Sequence, residues 1–361
     1  MGSHRGSGVG RGPGLRPPAR ARPSGRPGRG EALSTTIETS PPPQRHGLVS
    51  GNRGGQAGDR TFEAVTSAVA AAVVVVLLAM TVFLLVRAWP AVRTAGGDFL
   101  TERDWFPDAT PARFGIAALV WGTLLSSTLA LVLAVPVALG SALYVTEYAR
   151  PAVGRWIGYL VDVLAAVPSV VFGLWGLLFL VPRMVPVQRF LAQHLGFLPF
   201  FDNPEGVFGK SVFAASVVLA LMVLPIVAAV SREVFRQVPR DLREAALALG
   251  ATRWEVIRTS VLPASRSGVI GAVILGLGRA LGETIAVALV LAATFDVSLR
   301  ILEPGGNTIA ANVATKFGEA GEVGRSALIA SGLVLFAITL AATVAARGVI
   351  RRTGVTAAGR P

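Results

Sequence analysis

No cysteine occurs anywhere in the 361 residues, so neither a disulfide framework nor a thiolate metal site is available. Histidine is almost as scarce. His4, His46 and His194 are too scattered to form a metal site, and there is no His-Glu-x-x-His run. Charged residues make up 15% of the chain against 52% hydrophobic, and the mean hydropathy is +0.59. That balance excludes an ordinary soluble domain and points to a chain that crosses a membrane several times. A phosphate-binding loop is also missing. Gly209-Lys210-Ser211 has the ending of one, but the pattern needs glycine at 204, where Pro204 stands, and no strand precedes it. If ATP drives this protein, a separate subunit must bind it. There is no internal repeat with broken helices in both halves, as many secondary transporters have, and no catalytic constellation of the kind a membrane enzyme needs.

What is present begins with residues 1–60, which hold 14 Gly, 8 Pro and 10 Arg and almost nothing that builds a core. This composition predicts a disordered tail, too long and polar for the start of a signal peptide. Its arginines suit a solvated cytoplasmic arm, with anionic lipid or nucleic acid as the weaker readings. A spanning helix needs about 20 largely apolar residues. Six stretches qualify, near 64–86, 114–146, 156–182, 211–231, 264–295 and 326–346, predicting an all-α polytopic membrane domain over 61–350 and a short tail at 351–361. With the N-terminus inside, 23 of the 34 lysines and arginines fall on the cytoplasmic side and ten outside, as the positive-inside rule requires.

The outer loops say less. Residues 87–113 mix acids with arginines, and Val187 to Leu198 reads as an interfacial amphipathic helix. Within the spans, Asp162 lies about two turns in, roughly 9 Å from the cytoplasmic end, within reach of the interface or a loop arginine. Ser126, Ser127 and Thr128 are expected to bond neighbouring helices, and Pro168, Gly173 and Gly176 to permit a kink and close helix contact. Arg279 and Glu283 stand apart. Four residues apart in the fifth span, they are expected on one helix face, beside a Gly278/Gly282 ridge that admits another helix. Charge at that depth is costly unless it faces protein, water or an opposite charge. A guanidinium presents a planar fork suited to phosphate or sulfate, and Glu283 is expected to orient and neutralise it between anions. The bland alternative is an ion pair that only joins helices.

Between the fourth and fifth spans, residues 232–263 carry seven arginines with Arg266 included, and two S/T/D-x-x-E spacings. Asp241 with Glu244 and Thr252 with Glu255 predict capping boxes that start helices at Leu242 and Arg253. Gly250 is placed to end the first helix, and Pro263 to stop the second. Ala245 and Ala246 keep one face low, with Arg240, Arg243 and Glu244 around it. This stretch resembles the EAA loop of ABC-importer permeases, with Glu244, Ala245, Ala246, Gly250, Leu262 and Pro263 at the motif's positions and Ser260 departing from it. In that family the loop seats on a cytoplasmic ATPase, and the resemblance implies that role for these six residues.

Three segments, Val161 to Leu177, Arg243 to Pro263 and Gly276 to Val287, are similar to phosphate-specific ABC importer permeases of the PstC type, a likeness covering essentially residues 62–350. It implies a type I importer permease in the bacterial cytoplasmic membrane, with both termini cytoplasmic and Arg279 and Glu283 on the substrate path. The implied partners are a second permease of the PstA type, two ATPase subunits and a periplasmic or lipid-anchored phosphate-binding protein. ATP and magnesium belong on the ATPases, with no cofactor in this chain. Sulfate and molybdate are the rival cargoes, and a secondary anion transporter the rival class.

Overall fold

The structure, a computed structural model, describes residues 53–352. The expected tail therefore lies outside the described residues up to 52, as does the C-terminal segment from 353. Residues 53–60, expected in the tail, form instead the first turns of helix α1 (Arg53–Ala95), since extending an apolar helix costs far less than nucleating one. The chain divides into two compact units, Met1–Ser67 and Ala68–Pro361. In the first, the Thr66 hydroxyl donates to the carbonyls of Phe62 and Glu63.

The second unit holds α2 (Ala117–Leu143), α3 (Pro151–Ala166), α4 (Ser169–Trp175), α5 (Val181–Leu195), α6 (Val212–Arg236), α7 (Arg240–Ala248), α8 (Arg253–Val256), α9 (Leu262–Gly282), α10 (Ile285–Val290), α11 (Ile309–Lys316) and α12 (Glu322–Arg352). Among the described residues, six segments are long and apolar enough to cross a membrane: Arg60–Leu100, Ala117–Tyr148, Ser169–Leu195, Val212–Arg236, Arg253–Gly282 and Glu322–Gly348. The chain is a mostly helical, multi-pass membrane protein.

At the centre, α6 packs against both α2 and α9. Its buried residues run right round the helix, from Ala214 and Ala215 through Val218, Leu219 and Met222 to Val227 and Ala228, as a helix enclosed by others requires. Facing it, α2 buries Ala130, Ala134, Ala138 and Ala142 at a spacing of four, a low stripe that lets the two backbones approach. Ser126 and Ser127, expected to bond neighbouring helices, donate to carbonyls of α2 itself, at Gly122 and Thr123. The cross-link comes from Thr123, whose hydroxyl oxygen accepts the N–H of Ile309 at 3.0 Å.

The third span differs from the expected 156–182. Pro168 cannot donate a backbone hydrogen bond and pushes Val167 out of the helical region, to ψ 128°. The helix breaks there. The stretch before it, α3, exposes Trp156, Tyr159, Leu160 and Val163 and buries Gly154 and Gly158, while 187–195, expected as a separate interfacial helix, continues the helix of the third span. Asp162 of α3 pairs with Arg232 at the end of α6, 3.2 Å away. The stretch after Pro168 runs through a π-helical turn, Gly176–Leu180, and absorbs 187–195 into α5. Gly173 and Gly176 permit close contact, as expected: a Cβ on Gly173 would lie 2.8 Å from the Cα of Ala286, and one on Gly176 2.9 Å from Val218.

Between α1 and α2, a pair of two-residue strands sets Trp105 against Phe114, and both rings join Phe99 and Phe295 in an aromatic cluster. The carboxylate of Glu102, accepting the N–H groups of Arg103 and Asp104, is held below the usual range. Asp108 accepts from Gly321 and Gly324 at 2.9 Å each, tying this loop to the start of α12. Ser326 joins α12 to α1. Its hydroxyl accepts from Ala91 N–H and donates to the Arg87 carbonyl, inserting itself into the helical ladder beside Pro90.

Gly173→Val should cost about 1–3 kcal/mol, because its neighbour at Ala286 is backbone and cannot yield. Gly140→Ala, where an added Cβ meets nothing within 4 Å, should be neutral or slightly stabilising. Thermal unfolding of the purified variants compares the two, and equal melting temperatures would contradict the packing described.

Candidate functional site

Two places gather the residues the sequence singled out. The first is a cavity of about 630 Å³ bounded by α6, α9 and α12, lined by Ile226, Ile274, Leu275, Gly278, Arg279, Gly282, Glu283 and Thr343. Ile226 lies at the middle of α6, which sets the cavity at mid-depth. Helix α9 ends at Gly282, and Glu283 has extended backbone (φ −70°, ψ 127°). The chain leaves the helix direction after Glu283, and although both residues line the cavity, no ion pair joins them among the described residues.

Glu283 is 8% exposed. Its Oε1 accepts the N–H of Ala286 at 3.3 Å, within the opening turn of α10. The carboxylate is thus engaged by the break in the helix and not by the arginine. Arg279 has neither hydrogen bond nor ion pair among the described residues, and its Nε is buried without a partner. A charge so placed demands water or an anion. The glycines beside it also behave differently from expectation. A Cβ on Gly278 or Gly282 would meet nothing within 4 Å, so within this chain they border open space where a helix was expected to pack. Thr343, on α12, is a wall residue that sequence reasoning missed. Its signal was a threonine pair four apart, Thr339 and Thr343, in an otherwise apolar span.

The second place is the elbow of α7 and α8. Thr252 caps α8 through the expected capping box, its hydroxyl accepting from Glu255 N–H while the Glu255 side chain accepts from Thr252 N–H. Gly250 takes φ +84° and turns the chain, as expected. The other box does not form. Pro239 precedes α7 with extended backbone, the helix begins at Arg240, and no side chain caps it. Pro263 does not stop the second helix either. A π-helical turn at Ile257–Val261, closed by Leu262 N–H on the Ile257 carbonyl, shifts the ladder so that the proline is accommodated in the first turn of α9. The segment from Arg253 to Gly282 is consequently one helical rod.

Arg243, expected on the outer face, turns inward. Its guanidinium donates to the carbonyls of Phe235 and Val238 at 2.7 and 2.6 Å, and to Glu147 Oε1 at 3.0 Å. The guanidinium fork thus bonds one carbonyl in the last turn of α6 and another just beyond its end, as a basic side chain near a helix C-terminus can. Glu147 was the missed partner; its signal was a lone acid just before Arg150 and Arg155. What remains facing solvent is Glu244 and Ala245 with Leu242, Leu247, Leu249 and Trp254, while Ala246 packs inward. Leu249 is 90% exposed. Leu262 is half-buried and Pro263 exposed, at the foot of the rod.

Residues 134–355 match the family described as binding-protein-dependent transport system inner membrane component. A phosphate transport system permease protein PstC 2 from Mycobacterium tuberculosis is 45% identical over 296 residues, covering 81% of this chain and 91% of its own. A phosphate transport system permease protein PstC from Haemophilus influenzae is 38% identical over 296 residues, with 81% and 92% covered. Among solved structures, a bacterial alginate ABC transporter in complex with an alginate pentasaccharide-bound periplasmic protein aligns with a TM-score of 0.54. That alignment, at 16% identity, covers 83% of this chain and 98% of the matched one, a likeness of fold.

Arg243→Met should loosen the elbow by about 1–3 kcal/mol, since it strips donors from two carbonyls and leaves Glu147 without its partner. Limited trypsin digestion of membranes, followed at Arg240 and Arg253, should run about tenfold faster than in the wild type. An unchanged rate would show that the clamp does not hold the elbow.

Proposed function

Because the chain belongs to the family of binding-protein-dependent transport system inner membrane components, we propose that it is the permease subunit of an ATP-driven importer of inorganic phosphate. The observation that carries this reading is Arg279: an unpartnered guanidinium facing a mid-depth cavity that opens onto two bare glycines. The names of the PstC relatives favour phosphate over sulfate or molybdate. Arg279 meets the oxyanion with paired donors, and the site stays weak because the acidic Glu283 shares it, as a path requires.

In this reading the elbow docks an ATPase. Glu244, Ala245, Gly250 and the exposed leucines form the contact, while Ala246, Leu262 and Pro263 fix its attitude on the rod. ATP and magnesium act on two ATPase subunits and not in this chain. One elbow serves one ATPase, so a second, PstA-type permease completes the pair, and a periplasmic or lipid-anchored phosphate-binding protein delivers the anion. Both termini lie on the cytoplasmic side of a bacterial membrane, as the distribution of arginines supports.

Replacing Arg279 with Met and Glu283 with Leu together separates the path from a merely structural role. On the path reading the double variant inserts and binds its ATPases, but phosphate uptake falls at least about tenfold. Arg279→Lys should restore part of it, as a point charge lacks the planar fork. Uptake of labelled phosphate, normalised to inserted protein, is the measurement. Wild-type uptake by the double variant would remove this pair from the path.

A further inference from the structure

We infer that the cavity reads the proton on its anion: Glu283 and Thr343 form an acceptor set that accommodates hydrogen phosphate and rejects sulfate. The inference rests on the phosphate-path reading above and adds its selectivity. Three of the eight residues lining the cavity carry polar side chains, Arg279, Glu283 and Thr343, the rest being aliphatic or glycine. The donors all sit on Arg279, which is unengaged among the described residues. Glu283 supplies acceptors only. Its Oε1 takes the Ala286 N–H, and its other oxygen has no hydrogen-bond partner among the described residues. Thr343 would ordinarily be ambiguous, since a hydroxyl donates and accepts. Here its hydroxyl donates to the Thr339 carbonyl at 2.8 Å, so its proton is committed to the helix and the oxygen has only lone pairs to offer.

An anion seated on Arg279 where it also reaches Glu283 and Thr343 is met by donors from one residue and acceptors from two. Inorganic phosphate keeps at least one proton at neutral pH, so it presents unprotonated oxygens to Arg279 and a P–OH to an acceptor. Sulfate carries no proton there. Its oxygens face a buried carboxylate and a committed hydroxyl with nothing to donate, and such a mismatch of acceptors is how a site excludes a near-isosteric competitor. The absence of an Arg279–Glu283 ion pair matters for this, because a carboxylate held by the arginine would have less capacity left for a P–OH.

The test uses the assembled permease pair with its ATPases in nanodiscs, without the binding protein, so that selectivity arising upstream does not enter. Equilibrium binding of labelled phosphate is measured with unlabelled phosphate or sulfate as competitor. In the wild type sulfate should compete at least about tenfold less well than phosphate. Thr343→Val should weaken phosphate by up to about tenfold and leave sulfate unchanged, with Thr343→Ser restoring the wild-type value. Glu283→Gln, which adds an amide donor, should narrow the gap by strengthening sulfate. Equal shifts for both anions in these variants, or sulfate competing as well as phosphate in the wild type, overturns the proton-reading role. Phosphate binding that is undiminished in Arg279→Met, or absent from the wild type, would instead strike the path reading, and this inference with it.

Discussion

A guanidinium at mid-depth in apolar surroundings must be answered by an opposite charge, by water or by a ligand, and the fifth span is shaped around that demand. Glu283 closes α9, and the chain turns after it into α10, whose Ala286 N–H engages the carboxylate and leaves the arginine to the cavity. Packing elsewhere makes the break affordable to the fold. Gly173 and Gly176 bring α4 and its π-turn against Ala286 and Val290, so the short α10 is braced from the side although it is only six residues long.

The same span reaches the opposite end of the molecule. From Trp254 to Arg279 the rod is continuous, roughly 40 Å at 1.5 Å per residue. The Arg243 clamp ties α7 to the ends of α6 and α2, and the π-turn at Ile257–Val261 carries α8 into α9 without a hinge. On the function proposed, a displacement imposed on the elbow by an ATPase is transmitted along this rod to the cavity wall. Alternating access then needs no flexible link between motor and anion site.

Much of this was legible in the residues. Apolar runs of sufficient length gave six crossings, the Thr252 and Glu255 spacing gave a capping box, and Gly250 stood where a left-handed turn was needed. The elbow and the intramembrane arginine could be picked out because their residue types are rare in such surroundings. The misreadings come from long-range packing that local patterns do not reveal. Arg243 was expected on the surface, yet it turns inward to the carbonyls of Phe235 and Val238 and to Glu147. Pro263 was read as a stop, but a π-turn absorbed it; Pro168 was read as a kink, and it separates α3 from the span. The expected ion pair of Arg279 with Glu283 is not formed, because the carboxylate accepts the N–H of Ala286 in the turn that follows. Thr343 lay far away in sequence and became a wall residue only through the packing of α12 on α9.

Because the chain lacks cysteine altogether, one introduced thiol is the only one it carries, and label recovered on this chain reports on the cavity lined by Arg279. Gly282→Cys places it where an added side chain meets no neighbour. Labelling by a charged, membrane-impermeant thiol reagent in the assembled transporter, with and without phosphate, measures whether Arg279 faces an aqueous anion path. Ready labelling that phosphate slows is the expected result. Labelling by a lipid-soluble maleimide alone, indifferent to phosphate, would place the cavity against the bilayer and contradict a path through it.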